Sequence, residues 1–202
     1  MPVALLLDAR PATVATVLAW ATAIAVLLWV VLAYNRLVRA RLLAREAWSG
    51  VDVQLRRRHD LVPRLVEAVA GYARFERTVL SEVTELRSGL ADSSRPDRRL
   101  QERENALADR LGGIFALVEG YPDLKADRGF LELQRELVEV EEQLQLARRY
   151  YNGAVRDYAI LRESFPSNLV ARVFSFEPSE FFEVQSASER LAPQVALAQS
   201  PR

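Results

Sequence analysis

The sequence predicts an all-α protein, with a single N-terminal transmembrane helix followed by an antiparallel up-and-down four-helix bundle. Three observations predict it. Ala12 to Ala33 reads ATVATVLAWATAIAVLLWVVLA, 22 residues without a charge, and a bilayer core takes about 20 apolar residues in a helix. Beyond residue 34, apolar residues recur at steps of three and four, the period of a helix packed on one face. No segment of any length alternates apolar and polar residues as a half-buried strand does. The expected order is a short tail (1–11), the span (12–33), the bundle (34–165), an aromatic-rich membrane-proximal segment (166–183) and a disordered tail (184–202).

The span is too long for a cleavable signal peptide, whose apolar region runs roughly 7–15 residues, so it reads as an uncleaved anchor in a cell membrane. Arg10 precedes it, whereas Arg36, Arg39, Arg41 and Arg45 follow. Basic residues favour the cytoplasmic side, which puts the bundle there.

Four apolar seams follow. Ala44, Trp48, Val51 and Leu55 make the first. Leu65, Ala68, Tyr72, Phe75, Val79, Val83, Leu86 and Leu90 make the second, and Leu100, Leu107, Leu111, Ile114, Val118 and Tyr121 the third. The fourth runs Phe130, Leu133, Leu137, Val140, Leu144, Ala147, Tyr151, Ala154, Tyr158, Leu161 and Phe165, steps of three and four throughout. Between its members lie Glu136, Glu139, Glu141, Glu142, Arg148, Arg149, Arg156 and Asp157, the charged back face of a bundle helix. The breaks fall at HDLVP, SGLADSSRPD and GYPDLKADRG, each holding proline, glycine or a capping side chain. Asp60 reads as a cap ahead of Pro63. Gly112-Gly113 sits inside the third helix, where each glycine costs about 1 kcal/mol against alanine; it implies a close backbone approach or a kink.

If the span continues into the first helix, Arg57 lies 24 residues past Ala33, roughly 36 Å at 1.5 Å per residue. That is several Debye lengths of about 8 Å, so Arg56, Arg57 and Arg58 would sit at a distal tip, away from lipid. The joint GYPDLKADRG would lie at the same tip. From 119 to 142 there are eight acidic residues against three basic, and from 35 to 64 eight arginines against three acids. Arg56–Arg58 are therefore expected to face Asp123, Asp127 and their neighbours. The tip residues Arg56, Arg57, Arg58, His59, Asp60, Tyr121, Asp123, Lys125 and Asp127 are the candidates for partner contact, and Arg36, Arg39, Arg41 and Arg45 for contact with lipid headgroups.

Composition excludes several chemistries. The chain has no cysteine and one histidine, so thiolate sites, two-histidine metal motifs and most triads are absent. Its 27 basic and 27 acidic residues balance, unlike a dedicated nucleic-acid binder. His59 and Asp60 are neighbours in sequence and do not face each other on a helix, a poor catalytic dyad. Glu132 and Glu136 lack the Glu-x-x-His partners of a bundle metal site. No catalytic residue, metal or cofactor is expected. Tyr151, Tyr158 and Phe165 read as core, while Phe174 to Phe182 either packs under the bundle end or lies at the lipid interface.

The blocks YNRLVRAR, AWSGVDVQLRRRHDLVPRLVEAVAGYARFE, VEGYPDLKADRGFLELQRELVEVEEQLQLARRYYNGAVRDY and FPSNLVARVFSFEPSEFFE resemble, in order and spacing, those of the LemA family of bacteria and some archaea. Gly89 to Asp109 and the last residues match no clear block. The resemblance implies one N-terminal anchor, a helical bundle and no established biochemical activity. Family genes often lie beside those of membrane metallopeptidases or of small membrane proteins with a TPM domain, which makes such proteins the expected partners. The expected function is a membrane-anchored interaction scaffold, bound to lipid through Ala12–Ala33. A homo-oligomeric scaffold built on the fourth seam is the alternative, and an enzyme with an unrecognised site the remoter one.

Overall fold

The computed structural model of the protein describes residues 11–70, 85 and 96–183. The chain is an all-α protein. Its elements are α1 (Pro11–Ala70), α2 (Arg98–Val118), α3 (Pro122–Lys125), α4 (Arg128–Glu163) and α5 (Ser167–Val173), and among the described residues there is no strand. The second seam from Tyr72 to Leu90, the tails 1–10 and 184–202 and most of the SGLADSSRPD joint lie outside the described residues. Two compact units share the chain. One comprises Met1–Ala44 with Ala154–Ser179, the other Arg45–Gly153 with Glu180–Arg202.

In the first unit, α1 opens with a candidate membrane span. Its apolar window is wholly exposed, and Val17, Leu18, Trp20, Leu27, Leu28 and Leu32 all face outward. A helix apolar on every face needs an apolar surrounding. Further along, Ala33 and Leu37 pack with Tyr158, Val170, Ala171 and Phe176 in a small core. Tyr34 meets Phe174 and Phe176 edge to face at 4.9 and 5.6 Å. The end of α5 is closed by a paired cap in which the Phe176 N–H donates to Ala171 O and the Ser175 N–H to Arg172 O. That motif needs a left-handed residue after the helix, and Ser175 adopts it with φ 53°. Phe165 is not core. It is 80 % exposed because α4 ends at Glu163, so the stripe no longer governs where Phe165 points.

The larger unit joins α1 from Arg45 onward, α2, α3 and α4 as far as Gly153. Asp97 caps α2, its carboxylate accepting from Leu100 N at 2.6 Å, and Asp127 caps α4 through Phe130 N at 2.9 Å. Trp48 stacks edge to face on Tyr151 at 5.3 Å, and ten residues on, Arg58 meets Glu141 at 3.6 Å. Ten steps up α1 match ten steps down α4, so the two run antiparallel here. The core gathers Val51, Leu55, Leu65, Leu107, Ile114, Leu124, Phe130, Val140 and Leu144, all at 5 % exposure or less.

The expected break at HDLVP is not there. Residues 59–63 continue α1, with Pro63 inside it. A proline inside a helix costs about 3 kcal/mol. Leu61, Val62, Leu65 and Val69 around it are all buried, and each buried aliphatic side chain contributes roughly 1.5–3 kcal/mol, so burial outweighs the lost bond. Asp60 consequently lies in mid-helix, exposed, and caps nothing. Gly112 and Gly113 are exposed, and a Cβ on either would meet nothing within 4 Å, so among the described residues no backbone approaches them closely.

Candidate functional site

The seams of α1 and α2 each carry a charged residue at a position where the pattern calls for an apolar one. On α1 the buried row is Val51, Leu55, Arg58, Val62, Leu65 and Val69; on α2 it is Leu100, Glu104, Leu107, Leu111, Ile114 and Val118. The steps of three and four are unbroken in both rows, so Arg58 and Glu104 must point inward. The Arg58 guanidinium donates to Glu104 Oε2 at 3.4 Å, and their side chains are 5 % and 0 % exposed. His59 Nε2 lies 2.7 Å from Glu104 Oε1. Glu141 of α4 takes both Arg58 at 3.6 Å and Arg148 at 3.9 Å. The Arg148 guanidinium in turn lies 5.7 Å from the centre of the Phe182 ring.

Phe182 ends this chain of contacts. It is 1 % exposed and packs edge to face on Trp48 at 5.1 Å. The main chain around it is held by side chains of α2 and α4. Asn152 donates to Phe182 O at 3.1 Å and accepts from Phe182 N at 2.9 Å. Tyr151 donates its hydroxyl to Glu180 O at 2.7 Å, and Gln101 donates to Phe181 O. Burial first, and the Glu180 charge second, push the Tyr151 hydroxyl up to about 12.

The predicted pairing of Arg56–Arg58 with Asp123 and Asp127 does not occur. Arg56 bonds Asp52 on its own helix at 2.7 Å, and Arg57 is exposed. Arg58 contacts Glu141, 13 residues into α4, which is about 20 Å from that helix's start. The three arginines therefore lie in mid-helix, and it is Val69 and Ala70, the last described residues of α1, that draw level with Phe130. Asp127 is engaged as the α4 cap. Asp123 and Lys125 are exposed on α3, and Tyr121 is half-buried at its start. Of the juxtamembrane arginines, Arg36, Arg39 and Arg45 are exposed and Arg41 is half-buried. Beside α3 a cleft of about 240 Å³ is lined by Phe115, Val118, Glu119, Lys125, Phe130 and Gln134.

Among the described residues, no group of three acidic or histidine side chains is placed to hold a metal ion. Sequence reasoning missed Glu104 because only apolar residues were counted into the seam. The gap of seven between Leu100 and Leu107 was the signal, since a 3-4 row leaves no such gap.

The family model described as LemA family matches residues 47–197. Protein LemA of Metamycoplasma hominis is 26 % identical over 163 residues, which cover 78 % of this chain and 74 % of that protein. Magnetosome protein MamQ 2 of Paramagnetospirillum magneticum is 22 % identical, covering 73 % of this chain and 64 % of its own length. Magnetosome protein MamQ of Magnetospirillum gryphiswaldense is 20 % identical, with 80 % and 70 % covered. The chain thus spans just under two thirds of the MamQ 2 sequence.

Proposed function

The chain belongs to the LemA family, and on that premise we propose that it is a membrane-anchored scaffold whose helical bundle binds partner proteins and turns over no substrate. The observation that carries this reading is the pairing of the buried acid–base groups. Glu104 is fully buried and bonded to both Arg58 and His59, an arrangement that serves packing. The cleft beside Lys125, with Phe115, Val118 and Phe130 among its lining, suits a single side chain of a partner protein.

By the arginine flanks, the bundle faces the cytoplasm. By family resemblance, the partners are membrane metallopeptidases or TPM-domain proteins. The α4 seam is taken up by the chain's own core, since Leu137, Val140, Leu144 and Tyr151 are buried. Val138, Leu146, Tyr150 and Ile160 are the large apolar residues that α4 leaves exposed.

Photo-crosslinking from position 125 in the native membrane tests the proposal. A discrete set of membrane-protein adducts is expected, and Phe115→Asp should deplete it. Turnover of a substrate by the purified protein, lost on His59→Ala, would overturn it.

A further inference from the structure

We infer that α5 is a second membrane contact, with Phe165, Leu169, Val173 and Phe174 seated in the lipid interface of the bilayer that the apolar stretch of α1 enters. The inference rests on the membrane-anchored reading and goes beyond it. Every residue it uses belongs to the smaller unit. The inner face of α5, Val170 and Ala171, packs on Ala33 and Leu37. The uncharged stretch ends at Asn35, two residues past Ala33, so this packing holds α5 level with the end of the span. The outer face is apolar and uncovered. Leu169 and Val173, one turn apart, are 51 % and 77 % exposed, and Phe165 and Phe174 are 80 % and 50 % exposed.

That patch continues the exposed apolar surface of Leu28, Val31 and Leu32 on α1. Phe and Leu side chains on the apolar face of an interfacial helix bury themselves at the boundary between headgroups and acyl chains. The charges fit the same surface. Arg36 and Arg39 on α1 and Arg172 on α5 are exposed at this level, and basic groups near a span are drawn to anionic headgroups. By contrast Phe176 is buried, so only part of the aromatic tail is offered to lipid.

The sequence lacks cysteine, so single-cysteine variants can carry a spin label without background. The full chain is reconstituted in vesicles of phosphatidylcholine and phosphatidylglycerol, labelled in turn at Leu169→Cys, Val173→Cys and Trp20→Cys. Collision with oxygen, which partitions into lipid, is compared with collision with a water-soluble nickel chelate. At all three positions oxygen collisions should exceed chelate collisions several-fold. If positions 169 and 173 favour the chelate while position 20 favours oxygen, the inference is wrong and the anchor stands. Should position 20 also favour the chelate, both readings fail. Shielding of 169 and 173 from both agents would mean that protein covers α5, which likewise overturns the inference.

Discussion

Arg58 and Glu104 meet at 3.4 Å from two different helices, both nearly or wholly removed from solvent. Their mutual attraction has to offset the loss of two hydration shells, so the pair is sensitive to the loss of one partner and tolerant of losing both. Arg58→Ala or Glu104→Ala should lower stability by about 3–5 kcal/mol, and Arg58→Met with Glu104→Leu should recover most of that loss. Urea unfolding of the detergent-solubilised protein, followed by far-UV circular dichroism, reads all three. Additive losses in the double variant would contradict the coupling.

Phe182 should be the anchor of the C-terminal segment. It is fully enclosed, whereas its neighbour Phe181 is 44 % exposed. Phe182→Ala is expected to cost about 3–5 kcal/mol, and Phe181→Ala to stay within about 0.5 kcal/mol. Thermal melts of the two variants side by side check this, and equal shifts would contradict it.

Tyr151 predicts an alkaline limit. Its hydroxyl is held at about 12 in the folded chain against an ordinary 10.0. A group whose folded value is raised keeps its proton in the native state while the unfolded state loses it, so the unfolded state binds fewer protons in that window. Its contribution to stability is complete below pH 10 and is lost as pH rises towards 12. Tyr151→Phe should flatten this part of a pH titration of the melting temperature. An unchanged slope would rule out Tyr151 as its source.

Gly112 and Gly113 have room for a methyl group and lie within α2. Replacing either with alanine removes a helix penalty of about 1 kcal/mol and should raise the melting temperature. A fall would reveal a neighbour that the packing does not show.

Much of this architecture was legible in the sequence because burial and periodicity are the same information read twice. The uncharged run from Ala12, the seam from Phe130 to Tyr158 and the row from Leu100 to Val118 all emerge where expected. Pro63 was misread because a local penalty was weighed without the long-range burial of Leu61, Val62, Leu65 and Val69 that overrides it. The charge pairing was misread for the same reason. Continuing α1 through Asp60 as far as Ala70 shifts which acids are in reach, and a sum of charges over a segment cannot say which of them point inward. The seat of Phe182 was invisible because its partners are Trp48, Asn152 and Tyr151, far apart in the chain.

The four hydrogen bonds that hold residues 180–182 all end on main-chain atoms of that segment. Gln101, Tyr151 and Asn152 therefore recognise a path and not an amino-acid order. The route of the segment is encoded in the helices it crosses, and its own sequence is largely free. Glu180 and Phe181 can be exchanged without untying it, provided that an aromatic ring remains at 182. Two proteins could thus share this clasp while presenting quite different side chains to solvent.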